Sequence, residues 1–323
     1  MSVIPHEIEA YQVQHLPIVK AYADKIGLVE VINQLVPTEM MVDPGTLVLG
    51  LVLDTLSGRS PLYRLEAFFA QQDTALLLGQ VLPAQAFTDD TVGRVLDRLY
   101  AVGTMKRFTA CAVRADQVFG LDKRSVHFDT TSVSVYGEYL PPEDQQEQEV
   151  PLTMTHGYSK DKRPDLKQFV LSTLCVDRAV PLWGKPEDGN ASDKTVNNTL
   201  LSDIATFLAK HGVAPGAYIS VADAARVTEA NLAALGATRF LTRLPATSSA
   251  CERIIAEAVA HNPWDDLGVI AHTKPTQHRP ATSYKASEGA VTLYGTPSRA
   301  VVLHSSAQDT RRQQRLERES QAA

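Results

Sequence analysis

The segment Ser125-Val-His-Phe-Asp-Thr-Thr-Ser-Val-Ser-Val135 constrains this chain most. Its β-branched residues read as a strand, and a run of this composition is expected to be buried. Yet Asp129 stands in its middle. A charge in a buried strand is costly unless a cation, several hydrogen bonds or a metal ion compensates it. A second strand-like run, Tyr218-Ile-Ser-Val-Ala-Asp223, ends on another aspartate. Two aspartates at strands of one α/β sheet can share a divalent cation.

The period of the sequence changes at Ser125. Before it, residues 14–120 read as all-helical. Leu16, Val19, Ala23, Ile26, Val29, Ile32 and Leu35 form one helical stripe that Pro37 ends. Pro44 opens a helix so apolar from Leu47 to Leu56 that it is expected at the centre of a bundle, with Gly58 closing it. Pro61 starts another, with Leu62, Leu65, Phe68 and Phe69 as its apolar side. Asp89 and Asp90 are capping candidates for a helix through Tyr100, and a last helix runs from about Thr104 to Phe119.

After the first strand, Pro141-Pro-Glu-Asp-Gln-Gln-Glu-Gln-Glu149 is too polar to bury a core and is expected as a loop. Strands follow over Lys167–Val176 and about Val180–Lys185, then a long helix from Ser192 to His211. The strand ending at Asp223, a helix from Thr228 to Leu235 and a strand over Arg239–Leu244 complete the pattern. That order is α/β. Beyond a helix ending near His261, strand-like pieces lie at Ala290–Tyr294 and Ala300–His304. The tail Arg311–Glu319 is helix-compatible but holds one apolar residue, Leu316.

The length of 323 residues suggests about two domains, and 44% hydrophobic residues suffice for real cores. Cys111, Cys175 and Cys251 lie far apart and match no metal-ligand spacing, which argues for a reducing compartment. No signal-peptide pattern opens the chain, and no apolar run approaches the ~20 residues of a membrane span. The expectation is a cytoplasmic protein. A net charge of −6 is not the basic footprint of a nucleic-acid binder, so any grip on phosphates must come from local clusters. One such cluster is Ser159-Lys-Asp-Lys-Arg-Pro-Asp-Leu-Lys167. Lys160, Lys162, Arg163 and Lys167 there are candidate DNA contacts; the plainer alternative is a solvated hairpin neutralised in part by Asp161 and Asp165.

Several motifs together carry a resemblance. They are His127-Phe-Asp-Thr-Thr-Ser132, the run from His156-Gly-Tyr-Ser-Lys to Asp-Leu-Lys-Gln168, Gly189-Asn-Ala-Ser-Asp-Lys194 and Val221-Ala-Asp223. Leu56-Ser-Gly-Arg-Ser-Pro-Leu-Tyr-Arg64 and Thr88-Asp-Asp-Thr-Val-Gly-Arg-Val-Leu-Asp97 extend it to the N-terminal part. The chain resembles the bacterial insertion-sequence transposases of the DDE type, over nearly its whole length. The resemblance implies an α+β protein: an all-α N-terminal domain over 1–120, with a possible role in recognising DNA ends, then an α/β core over 121–262. That core would be an RNase H-like mixed sheet, incomplete at the C-terminus, with residues 263–323 beginning a β-rich insertion and ending in a charged tail. It also implies Mg2+-dependent cleavage and strand transfer at element ends, with no covalent protein–DNA intermediate. Double-stranded DNA would be the partner, and the complete enzyme a homodimer.

Under that resemblance Asp129 and Asp223 are the first two metal-ligating, catalytic carboxylates. The third in such enzymes is a Glu in a Tyr-x-x-Arg-x-x-x-Glu-x-x-x-x-x-x-Lys setting, which does not occur here. The expectation is therefore a chain that stops before it, an inactive fragment. Glu317 and Glu319, in a solvated charged stretch, are poor substitutes. Taken residue by residue, plainer roles stand beside these. Asp129 can be an Asp hydrogen-bonded to Thr130 or Thr131, and Asp223 the cap of a turn. His127 and His156 read as packed histidines, and Gly189-Asn190 with Ser192 as a turn and helix start. Helices over Asp89–Arg107, with Arg94, Arg98, Lys106 and Arg107 expected exposed, are candidates for DNA recognition. The rivals to catalysis are a non-catalytic DNA-binding or dimerising remnant that interferes with a full-length transposase, and a related RNase H-like nuclease.

Overall fold

The computed structural model describes residues 10–139, 152–191, 205–214, 216–224, 227–236, 238–261, 264–272, 274–276 and 280–322. The expected acidic loop at 141–149 and the first part of the helix expected from Ser192 lie outside these. The fold is α+β: a helical N-terminal region, then a region built on sheets. The chain forms two compact units, Met1–Ala191 with Ala217–Ser220, and Ser192–Gly216 with Val221–Ala323.

The first unit begins with α1 (Leu16–Ile26), α2 (Leu28–Leu35), α3 (Pro44–Ser57), α4 (Leu65–Phe69), α5 (Thr74–Leu78), α6 (Asp89–Val102) and α7 (Thr104–Phe119). The single stripe expected across Leu16–Leu35 is broken at Gly27. Its φ of 71° is left-handed, and its N–H caps Ala23 and Asp24. A helix cannot continue through that conformation, so the apolar pattern is served by two helices meeting at an angle set by glycine. The helix expected from Pro61 starts instead as a 3-10 turn over Leu62–Arg64, and Leu62 is exposed. At α6 the cap is Thr88, whose side chain accepts from the Thr91 N–H; Asp89 and Asp90 occupy the first turn, where they favour the helix dipole.

The central position expected for α3 is what the structure shows. Leu47, Leu49 and Leu53 are fully buried in a core with Leu16, Leu65, Phe69, Phe87 and Val95. Two glycines let neighbours approach. A Cβ on Gly45 would lie 2.3 Å from the Val29 carbonyl oxygen, and one on Gly50 2.8 Å from the Phe69 ring. Asp43 caps this helix twice over, accepting from the Thr46 N–H and the Thr46 hydroxyl, each at 2.8 Å. Asp43→Ala is expected to cost about 1 to 2 kcal/mol. A urea melt of the variant matching the parent midpoint would show that the cap is dispensable.

The strands β1 (Ser125–Val135), β2 (Lys167–Val176), β3 (Val180–Glu187), β4 (Ile219–Ala222) and β5 (Arg239–Thr242) form a sheet in the order β3-β2-β1-β4-β5. The pairs β1–β2 and β2–β3 are antiparallel. The strand β3 runs two residues beyond the expected Lys185, and α7 packs against it, with Phe108 3.6 Å from where a Gly184 Cβ would stand.

In the second unit α8 covers 205–210, and α9 (Glu229–Leu235) is capped by Thr228. The helix α10 (Ser249–His261) packs on a separate sheet of order β6-β7-β8. Its strands are β6 (Asp265–Gly268), β7 (Tyr284–Leu293) and β8 (Thr296–Ser305). Leu232, Ile254, Val291 and Leu293 are the core of this unit. The chain described ends in α11 (Ser306–Ala322). Among the described residues no helix is long and apolar enough to cross a membrane.

Candidate metal and nucleic-acid site

Strand β1 has one buried face, not two. Val126, Phe128, Thr130 and Ser132 are buried, while Ser125, His127, Asp129 and Thr131 are exposed. Asp129 therefore lies on the open face with its side chain 80% exposed. This corrects the expectation of a charge inside a buried strand. With solvent to hydrate the carboxylate, no compensator is required, and the desolvation argument for a metal falls away. The plainer contact is present: the Asp129 carboxylate accepts from the Thr130 N–H at 2.8 Å.

One cation does stand over it. Lys160 Nζ is 3.8 Å from Asp129 Oδ1, donates to the Thr130 hydroxyl at 3.2 Å and also bonds the Thr130 carbonyl oxygen. Sequence spacing could not pair Lys160 with Asp129, because the contact crosses from a loop to the middle of a strand. The rest of the basic stretch is exposed from Lys160 to Asp165. Arg163 is not a free cation. Its guanidinium forks onto Asp165 at 2.9 and 2.7 Å and reaches the Tyr136 hydroxyl at 3.4 Å. That partnership pushes the guanidinium pKa up and draws the Asp165 carboxyl down. Lys167 reaches the Glu138 backbone carbonyl and has no ion-pair partner among the described residues. Lys162 is exposed, in a left-handed backbone conformation with φ of 59°.

Asp223 follows β4 directly. Its side chain is 72% exposed, its Oδ1 accepts from the Ala224 N–H at 2.6 Å and lies 3.5 Å from an Arg243 guanidinium nitrogen. Its backbone carbonyl accepts from the Thr242 hydroxyl. The turn-capping role and an exposed carboxylate thus coexist, and Arg243, which the sequence did not single out, is its cation. Asp129 belongs to the first unit and Asp223 to the second.

Exposure of His127, like that of His156, corrects its reading as a packed histidine. His127 stands opposite Cys175 in the β1–β2 register, and burial pushes that thiol up. Both line a recess of about 690 Å³ with Arg124, Arg178, Asp122 and Asp177. Each arginine is paired with its own aspartate. The Arg124 side chain, aided by its backbone N–H, holds the exposed Asp122 carboxyl down at about 2. In the N-terminal helices Arg107 is only half-exposed and turns back to the Gly103 carbonyl, and Arg94 pairs with Asp90. Of the four cations expected there, Arg98 and Lys106 are the exposed ones outside these contacts.

The glycines of the quoted motifs have a structural reason. Thr155 and Gln168 form an antiparallel bridge, and Gly189 N–H donates to Thr153 O at 3.0 Å. The Gln168 side chain is buried and donates to Gly189 O at 2.7 Å and to Tyr158 O at 3.3 Å. A Cβ on Gly157 would meet Gly189 O at 2.0 Å, and one on Gly189 would meet Gln168 O at the same distance. The chain crosses itself there with no room for a side chain.

Residues 8–113 match a family described as a domain of unknown function (DUF4277). No curated protein matches the chain. Among solved structures it is similar to a Mos1 transposase paired-end complex with left transposon end. That likeness has 13% identity and a TM-score of 0.26, over 63% of this chain and 65% of that one, just under two thirds of its length. A pre-cleavage Mos1 transpososome is similar at 13% identity and a TM-score of 0.25, over 79% of this chain and 85% of that one. Likenesses at such scores are too distant to define a shared fold.

Proposed function

We propose that this chain belongs to a DNA transposase of the DDE type, in which Asp129 and Asp223 are two of the carboxylates that hold Mg2+. The observation that carries this reading is the exposed carboxylate of Asp129 on the open face of β1, within a motif that resembles the family's first catalytic aspartate. Asp223, in the second unit, is the second ligand that the resemblance implies. Exposed carboxylates supply the hard oxygen ligands that Mg2+ prefers, and such an ion keeps several waters, so few protein ligands are needed. Bound metal would activate the attacking oxygen and stabilise the leaving one in phosphoryl transfer. Lys160 and Arg243 neutralise the two aspartates, and an arriving cation competes with both. Lys160, Lys162 and Lys167 contribute a sequence-independent grip on phosphates, with Arg163 held back by Asp165. Double-stranded DNA is the partner in this reading, and Asp129 and Asp223 are two of the three carboxylates it requires.

Iron-directed cleavage tests it. With Fe2+ in place of Mg2+, ascorbate and peroxide generate hydroxyl radicals at the bound ion and cut the nearest backbone. Cuts are expected within a few residues of Asp129 and of Asp223, and Asp129→Asn should remove them. Cleavage elsewhere, or a pattern that Asp129→Asn leaves unchanged, would remove both aspartates from any metal site.

A further inference from the structure

We infer that α11 is a second nucleic-acid-binding element, a helix whose arginine face grips the phosphates of duplex DNA. Its first turn is tethered to the β7–β8 hairpin: Ser306 N–H donates to Ser283 O at 3.1 Å, and the His304 ring meets Asp309 at 2.8 Å. From residue 308 to 321 every residue is exposed. Among the described residues such a helix relies on these tethers and its own side-chain pairs for stability, and its exposed surface is what it offers to a partner.

That surface is sorted by charge. At about 100° per residue, Arg311, Arg312, Arg315 and Arg318 fall within an arc of about 120°. Glu319 shares the arc but is engaged by Arg315 at 2.7 Å. Asp309 and Glu317 project outside it. Among the described residues the arc therefore presents about three guanidinium groups without an ion-pair partner, on one side of a helix about 25 Å long.

The chemistry selects the occupant. Guanidinium groups match phosphate oxygens bidentately. An acidic protein partner would call for apolar or aromatic anchors at the centre of the contact. The helix offers only Leu316, about 40° outside the arc and 58% exposed. A membrane surface would need an apolar face, which is absent here. Duplex DNA needs neither, and its major groove admits an α-helix, whereas that of A-form RNA does not. This element lies outside the metal-site reading and stands without it.

The test is anisotropy of labelled 20-base-pair DNA with the full chain, from about 50 to 200 mM salt. Changing Arg311, Arg312, Arg315 and Arg318 together to Gln should weaken binding at least tenfold at the low-salt end. It should also flatten the log–log salt slope by about 3, since each neutralised phosphate contributes about 0.9. The fourfold Arg→Lys variant should keep most of the slope, and Glu317→Gln, outside the arc, should change neither quantity. Circular dichroism of the Gln variant should match the parent, which separates lost charge from lost helix. A parent that fails to bind duplex DNA, an unchanged slope in the Gln variant, or equal loss on duplex RNA would each overturn the inference. Iron-directed cuts at Asp129 are a separate readout, so failure here leaves the metal reading standing, and the converse.

Discussion

Gly189→Ala is expected to destabilise the first unit severely. The added Cβ would lie 2.0 Å from Gln168 O, 2.5 Å from Thr155 O and 2.9 Å from Gln168 C. All three atoms are backbone, so no rotamer change relieves them. The Thr155–Gln168 bridge fixes that backbone with bonds of 3.2 and 2.9 Å. Relief would break the bridge, and with it the Gln168 side-chain bond to Gly189 O. Overpacking a well-filled site typically costs ~1–3 kcal/mol, and an immovable neighbour places this case at or above the top of that range. Against a total stability of about 5–15 kcal/mol, such a loss is severe. The melting temperature is expected to fall by at least 6 °C, taking roughly 2–4 °C per kcal/mol for a unit of this size. Gly157→Ala should behave alike, because its Cβ would meet Gly189 O from the other side. Melting within 2 °C of the parent for both variants would mean the crossing is loose.

The second large effect is on chemistry. On the proposed reading, in which Asp129 and Asp223 are two of three metal-holding carboxylates, the 323-residue chain alone is expected to leave transposon-end DNA uncut at any detectable rate. In that reading two carboxylates could attract a cation, but without a third the clamp on attacking and leaving oxygens would be incomplete. Losing that clamp removes several kcal/mol of transition-state stabilisation, and each ~1.4 kcal/mol is about tenfold in rate. Joining the chain to a helix that supplies the Tyr…Arg…Glu…Lys setting should restore cleavage and strand transfer, and Asp129→Asn in that longer protein should abolish both. Metal-dependent cutting by the 323 residues alone, lost in Asp129→Asn, would show that they contain a third ligand and that the two-carboxylate account is wrong.

Much of this fold follows from local pattern. Period and punctuation placed α3 between Pro44 and Gly58, α7 over Thr104–Phe119 and β2 over Lys167–Val176 at their observed ends. These signals are local: a proline that cannot accept a preceding turn, a glycine that can turn left-handed, a run of β-branched residues. They misled where one pattern fits two structures. A 3.6-residue stripe across Leu16–Leu35 is equally served by one helix or by two joined at a left-handed Gly27. A strand composed like β1 is equally served by two buried faces or one, and the choice depends on what packs against the sheet.

The candidate site divides the same way. The sequence by itself determined that Asp129 stands mid-strand, that Asp223 ends a strand, and that four cations crowd residues 160–167. Only the tertiary structure decided that Asp129 faces solvent under Lys160 and that Arg243 attends Asp223. It also decided that Gly157 and Gly189 are there because two backbones cross. The physical reason is reach. Helix and strand periodicity bind residues a few positions apart, whereas exposure, ion pairing and steric exclusion depend on neighbours that the chain brings together from far along its length.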